Sequence, residues 1–112
     1  MKNVVKIDGQ RAVVSFDPEI GMFRGEFLGL NGGADFYADS VDGLVAEGQT
    51  SLQVFLEMCR EKNLRPFRSF SGRFNVRLDP KVHEAAATAA ASENKSLNEW
   101  VSEVVKIAAD AE

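Results

Sequence analysis

The stretch "RFNVRLDP", residues 73–80, decides how the second half of the chain folds. Arg73, Asn75 and Arg77 alternate with apolar residues, which predicts a short strand with one polar face and one apolar face. The Asp-Pro pair that ends the stretch predicts the start of a helix, because aspartate caps helix N-termini and proline fits the first helical turn. No later segment has a strand pattern, so the predicted strand needs a partner from elsewhere.

Two helices are predicted after this strand. The first runs through the alanine-rich segment to about Asn94. The second begins at "SLNE", residues 96–99, a capping box in which the serine hydroxyl accepts a hydrogen bond from the glutamate N–H. Because about 40 residues are too few to bury a good core, we expect two copies to pair their strands antiparallel across a two-fold axis. The predicted dimer core is apolar: Phe74, Val76, Leu78, Trp100, Val101 and Val104.

The polar face of such a paired ribbon suits DNA. A two-stranded ribbon fits the major groove, where arginine can bond guanine and asparagine can bond adenine bidentately. Free amides at the start of the second helix suit a phosphate. The predicted base-reading residues are Arg73, Asn75 and Arg77, and the predicted phosphate-binding residues are Lys95, Ser96, Leu97 and Asn98. The alternative is that all of them are ordinary solvent-facing residues.

Composition excludes several other classes of protein. The apolar and charged fractions, 45% and 27%, are those of an ordinary soluble globular protein. No apolar run reaches the roughly 18 residues of a membrane span, so no membrane association is predicted. The single cysteine rules out an internal disulfide and predicts a reducing cytoplasm. With one histidine and one cysteine, we expect no zinc or other soft-metal site.

Charge is distributed unevenly around the net value of −4. Residues 7–57 carry two arginines against nine acids, whereas residues 64–81 carry five basic residues against Asp79 alone. Such an asymmetry predicts two partners of opposite charge. The alternative is a solvated acidic surface beside a basic linker.

The first half predicts an antiparallel meander and one helix. The strand segments are "RAVVSF" (11–16), "MFRGEFLGL" (22–30) and "ADFYA" (34–38), joined by short turns. A helix should follow from the Ser40 cap to about Lys62, where Asn63 can end it. Glycine disfavours helix, so a bend or break is expected near Gly48. A short fourth strand is expected at residues 67–70.

A family resemblance joins these two halves. The segment "SGRFNVRLDPKVHEAAATAAASENKSLNEWVSEVV", residues 71–105, resembles the ribbon-helix-helix domain of HicB-type antitoxins. The N-terminal part resembles the HicB half, a degraded, non-catalytic RNase H-like fold. The resemblance implies an α+β chain in three parts: a toxin-binding partial RNase H-like domain at 1–66, a linker at 67–71, and a ribbon-helix-helix dimerisation domain at 72–112.

The same resemblance implies partners. They are operator DNA, a HicA-like toxin (a basic ribonuclease that cleaves messenger RNA), and a second copy of the chain in a homodimer or a tetramer. It also implies a cytoplasmic protein with no enzymatic activity, cofactor or metal.

Two other functions stay open at this point. One is a ribbon-helix-helix regulator whose N-terminal half senses a small ligand, with no toxin. The other is an RNase H-like nuclease, since such enzymes hold metal ions with clustered carboxylates. The acids to be tested for that role are Asp17, Glu19, Glu26, Asp35 and Asp39. Their spacing matches no recognisable catalytic set, so a solvated or toxin-facing surface is favoured.

Overall fold

Within residues 2–110 the chain forms four antiparallel strands and three helices, which confirms the predicted α+β class. The computed structural model describes residues 2–110. They divide into two units, Lys2–Phe70 (the sheet unit) and 71–110 (the helical unit). Residues 1, 111 and 112, the ends of the predicted domains, lie outside this range. Every helix within residues 2–110 falls short of the length or apolarity that crossing a bilayer requires.

The first strand of the sheet was not predicted from the sequence pattern. The sheet is a meander of β1 (Val4–Ile7), β2 (Gln10–Asp17), β3 (Met22–Phe27) and β4 (Phe36–Ala38) in that order. Strands β1 and β2 meet at the pair Ile7 and Gln10, and the two residues between them, Asp8 and Gly9, have φ of 48° and 84°. Positive φ at both positions is the type I′ hairpin turn that Asp-Gly favours.

One long helix, α1 (Val41–Lys62), crosses one face of this sheet. The Ser40 hydroxyl accepts a 3.0 Å hydrogen bond from the Gly43 N–H, which confirms the predicted cap. At the other end Asn63 is left-handed, with φ of 56°, and Leu64 donates to the Cys59 carbonyl at 2.8 Å. Asn63 therefore ends the helix as predicted.

The predicted break near Gly48 is wrong, because α1 is continuous through it. A Cβ at Gly48 would lie 2.5 Å from Ile7 Cδ1 and 2.9 Å from the Phe36 ring. The missing side chain lets the helix backbone approach the sheet closely. The buried residues it helps to enclose are Ile7, Ala12, Phe27, Leu30, Ala34, Phe36, Ala38, Leu44, Leu52, Phe55 and Cys59.

Gly48→Ala is expected to destabilise the chain although alanine favours helix. The added methyl overpacks the core at a cost of about 1–3 kcal/mol, against a gain of about 1 kcal/mol in helix propensity. Urea unfolding of the full chain measures the difference. Thr50→Ala, at an exposed position of the same helix, gives the propensity change without the clash. Equal stabilisation by both substitutions would show that Gly48 has no packing role.

The predicted fourth strand at 67–70 is reduced to a single bridge between Leu30 and Phe67. A strand needs a ladder of bonds, and here the chain is held instead by the Asn31 side-chain amide, which donates to the carbonyls of Arg65 and Phe67, both at 3.0 Å.

The helical unit contains α2 (Pro80–Ser92) and α3 (Leu97–Asp110). Asp79 Oδ1 accepts from the Lys81 N–H at 2.9 Å, so the predicted cap is confirmed. Asn94 is left-handed, with φ of 58°, and Lys95 donates to the Ala90 carbonyl at 2.9 Å, which ends α2 where predicted. Residues 73–78 form no strand in the single chain, contrary to the prediction. A strand is defined by hydrogen bonds to a neighbour, and the described residues provide none there.

Candidate nucleic-acid interface

The segment that precedes α2 is fixed at both ends. Gly72, with φ of 85°, makes a turn that residues with side chains rarely adopt. Around it the Ser71 hydroxyl accepts from the Arg73 N–H at 3.0 Å and donates to the Arg73 carbonyl at 3.2 Å. The Asp79 cap holds the other end. Residues 73–79 between these points are all exposed.

The three predicted base-reading residues lie in this segment with their side chains free. Arg73, Asn75 and Arg77 are exposed, and their side chains make no hydrogen bond or ion pair to another residue within 2–110. Five guanidinium donors on each arginine, and both ends of the asparagine amide, are therefore available to an external partner.

The residues that alternate with them are apolar and equally exposed. Phe74 and Val76 are 75% and 62% exposed, and Leu78 is also exposed. Single exposed apolar residues are normal, but a contiguous set marks a surface that another molecule covers.

That apolar surface extends over both helices of the unit. Within residues 71–110 only Ala86 and Ala90 are buried, and α3 has no buried residue. Trp100 and Val101, both predicted for the dimer core, are half-buried. The other exposed apolar residues of the helices are Val82, Val104, Val105 and Ile107. A unit with two buried alanines has almost no hydrophobic core of its own.

The predicted phosphate site begins α3. The Ser96 hydroxyl accepts from the Glu99 N–H at 3.1 Å and donates to the Glu99 carboxylate at 3.2 Å. The predicted bond from Glu99 N–H to the serine hydroxyl is thus confirmed. Within the described chain, the N–H groups of Leu97 and Asn98 have no backbone acceptor, and Asn98 is exposed. These two amides lie at the positive end of the helix, where an anion is stabilised.

The Lys95 side chain, unlike the amides of Leu97 and Asn98, already has partners. Its ammonium group donates to the Glu103 carboxylate and lies 3.5 Å from that of Glu93. The hydrogen bond to Glu103 raises the pKa of Lys95 above its usual value. The Trp100 indole N–H also donates to Glu93, at 2.8 Å. This network links the turn to α3, and a phosphate would have to compete with two carboxylates for the lysine.

The sequence model of the HicB family matches residues 55–105, a range that contains all the predicted DNA-binding residues. Over these residues the chain is similar to the HicB family. No curated protein and no solved structure matches the chain. HicB-family proteins are antitoxins of toxin–antitoxin systems and are generally not enzymes, so this match suggests an antitoxin role with a toxin partner.

The sheet unit carries the acids that a nuclease-type metal site would need. Arg24 bonds the Asp35 carboxylate and lies 3.6 Å from Glu26, and the bond to Asp35 raises the pKa of Arg24. Those two acids are therefore occupied by an arginine. Across residues 2–110, no group of three or more histidine, cysteine, aspartate or glutamate side chains could hold a metal ion.

Sequence reasoning missed the network around Lys95. Glu93, Trp100 and Glu103 come together only because the turn between α2 and α3 folds the chain back, and no spacing within one helix signals that contact. Sequence reasoning counted Arg65 and Arg68 in the basic segment 64–81 but did not note that they alternate with the exposed aromatics Phe67 and Phe70.

Ser96→Ala is expected to lower the free energy of unfolding by about 1 kcal/mol, because the first amides of α3 lose their cap. Urea unfolding of the full chain measures the loss. Ser102→Ala, an exposed position inside the same helix, is the matched control and should be neutral or slightly stabilising. Equal stability of the two variants would mean that the cap contributes nothing.

Proposed function

We propose that this chain is an antitoxin with two binding surfaces. Its sheet unit binds and neutralises a HicA-like toxin that cleaves messenger RNA, and its helical unit represses the antitoxin's own operon as a dimeric β-ribbon. The observation that carries the proposal is the alternation at residues 73–78. Three unpaired polar side chains alternate there with three exposed apolar ones, in a unit that buries only two alanines.

A second copy of the chain supplies the strand partner and the hydrophobic core that the helical unit lacks. When two copies of residues 73–78 pair antiparallel, their amides and carbonyls bond each other, and Phe74, Val76 and Leu78 of both copies cover the exposed apolar side of the four helices. This is the ribbon-helix-helix arrangement. Burial of apolar area stabilises it by roughly 25 cal/mol per Å².

The paired ribbon places the polar residues together on its other face. Arg73 and Arg77 then suit guanine edges and Asn75 suits adenine, once in each half of a palindromic operator. The free amides of Leu97 and Asn98 suit the flanking phosphates and fix the register of the protein on the duplex. Ser96 serves as the cap of that phosphate site, and Lys95 joins it when a phosphate displaces Glu93 and Glu103 from its ammonium group.

The sheet unit supports a basic partner. Asp17 ends β2, and Asp39 and Asp42 lie where β4 ends and α1 begins. These positions share one end of the sheet, because the start of β3 pairs with both the end of β2 and the end of β4. A basic ribonuclease that binds RNA has the charge that this acidic end attracts. We propose that the sheet unit is the degraded RNase H-like domain and that it occludes the toxin.

A small-ligand sensor has less support. The sheet unit has a cavity of about 220 Å³ lined by apolar residues that include Val14, Phe23 and Leu44. Small-molecule sites usually measure about 300–1,000 Å³ and carry a few converging polar groups. The cavity falls below that range, and Asn3 is its one polar lining residue.

Titration of the full chain with the DNA upstream of its own gene tests the repressor half. Binding should prefer this duplex to a scrambled one and should weaken steeply as salt rises. Equal affinity for both duplexes would contradict base reading by the ribbon. The toxin half is tested by co-expression with a short basic protein encoded beside it: co-purification and restored translation are expected, and continued messenger-RNA cleavage would contradict neutralisation.

A further inference from the structure

The connector between α1 and the helical unit is held firmly against the sheet unit. Asn31 fixes it through the carbonyls of Arg65 and Phe67, and the Asn31 N–H donates to the Pro66 carbonyl at 2.8 Å. The Arg68 N–H donates to the Gly29 carbonyl, also at 2.8 Å. The side chains of the connector are therefore presented from an ordered backbone.

Those side chains are basic. Residues 60–70 contain Arg60, Lys62, Arg65 and Arg68 with Glu61 as the one acid. Arg60 and Lys62 lie in the last turn of α1, where they complement the negative end of the helix. Arg65 and Arg68 lie beyond the helix, so this explanation does not apply to them.

Arg68 is held ready for an external anion. Its guanidinium lies 5.0 Å from the centre of the Phe70 ring and donates one hydrogen bond, at 3.2 Å, to the Leu28 carbonyl. Stacking on an aromatic ring orients the planar fork, and the remaining N–H groups of the fork stay available. Phe70 itself is 74% exposed, so the stacked pair lies at the surface.

We propose that Arg65 and Arg68 bind the phosphates of operator DNA outside the base pairs that the ribbon reads. The inference rests on the proposed function, which places the ribbon of the same chain in the major groove. Because Arg68 lies only a few residues before Arg73, their Cα atoms are at most about 18 Å apart. This distance equals the rise of roughly five base pairs of DNA. Flanking phosphates therefore lie within reach of a protein whose ribbon is bound.

The positive charge of Arg65 and Arg68, together called the basic strip, favours DNA as their partner. Duplex DNA presents about one negative charge per 1.7 Å, and arginine forks match phosphate geometry bidentately. The proposed toxin is basic and would be repelled. In a dimer the strip occurs twice, so four additional phosphate contacts are expected.

The test measures the affinity of the full chain for two duplexes of upstream DNA at 0.15 M salt. One is the shortest duplex that retains sequence-specific binding, and the other adds ten base pairs on each side. Wild type should bind the longer duplex on the order of tenfold more tightly, and Arg65→Ala/Arg68→Ala should bind both about equally. On the longer duplex, the slope of log affinity against log salt should be less steep for the double variant than for wild type, by up to about 4.

Lys6→Ala/Arg11→Ala is the matched control, because it removes the same charge from paired, exposed residues of β1 and β2. It should keep the preference for the longer duplex. If it loses that preference equally, total charge and not the strip is responsible, and the inference is wrong. If loss of the Arg68 hydrogen bond unfolds the chain, the single substitution Arg65→Ala carries the test. The Arg65 side chain makes no hydrogen bond or ion pair within residues 2–110, so its removal breaks no such contact.

The outcomes separate the inference from the proposed function. If wild type prefers the native core duplex but gains nothing from the added flanks, the strip does not bind DNA and the repressor proposal stands. If wild type does not distinguish native from scrambled core duplex, the repressor proposal fails and the inference fails with it.

Discussion

Val76→Glu is expected to make the chain monomeric and to abolish specific DNA binding. Val76 is 62% exposed in the single chain but faces the helices of the proposed dimer, where two such residues lie close to the two-fold axis. The substitution removes about 1.5–3 kcal/mol of apolar burial per copy and places two carboxylates of like charge across the ribbon. The dissociation constant of the dimer should rise at least about 100-fold, roughly 3 kcal/mol.

Loss of the dimer should also unfold the helical unit. Helices α2 and α3 have 13 and 14 residues, close to the length at which isolated helices are marginal in water, and they bury only two alanines between them. The far-ultraviolet helix signal should therefore fall together with the mass, while α1 and the sheet persist. Sedimentation velocity and circular dichroism measure the two effects on one sample.

Val54→Glu is the matched control for this experiment. Val54 is the same residue type with nearly the same exposure, 61%, but lies on α1 in the sheet unit. It should leave mass, helix content and DNA binding unchanged. A dimeric Val76→Glu with native helix content would mean that residues 73–78 do not pair across a two-fold axis.

The elements were predictable where local chemistry decides the backbone. Asn63 and Asn94 end helices in the left-handed conformation that asparagine tolerates, and Ser40 and Asp79 begin them with side-chain acceptors. Strand β1 was not predicted, although Asp8 and Gly9 form a strong hairpin signal, because the four residues Val4–Ile7 before them are too short a run to be recognised.

Other features depend on contacts that no local pattern contains. Gly48 was expected to interrupt α1 because glycine disfavours helix, but it lies against Ile7 and Phe36, which come from distant strands. The proposed pairing of residues 73–78 requires a second molecule. The sequence can therefore predict the alternating faces, whereas a single chain cannot form the strand. Lys95 was assigned to phosphate from its position alone, whereas the fold brings Glu103 to it.

Asn75→Ala is expected to weaken operator binding by about 1–3 kcal/mol for each half-site and to relax specificity at one base pair. An asparagine amide bonds the N6 and N7 groups of adenine with one donor and one acceptor, a pattern that no other base presents in the major groove. Asn75 is suited to this because its side chain is exposed and unpaired within residues 2–110, between two equally free arginines. Alanine leaves the apolar face of the ribbon untouched, so the dimer should persist.

Competition binding against a set of duplexes, each altered at one position, measures this effect. Wild type should lose affinity at a symmetric pair of adenines, and Asn75→Ala should bind the native and altered duplexes alike at that pair while still discriminating at the positions read by Arg73 and Arg77. Asn98→Ala removes the same side chain from the predicted phosphate site, so any weakening should be uniform across the duplexes. If Asn75→Ala keeps the full wild-type pattern of discrimination, Asn75 reads no base. The repressor would then depend on its arginines and on the shape of the duplex, since sequence-dependent deformation is the remaining physical route to specificity.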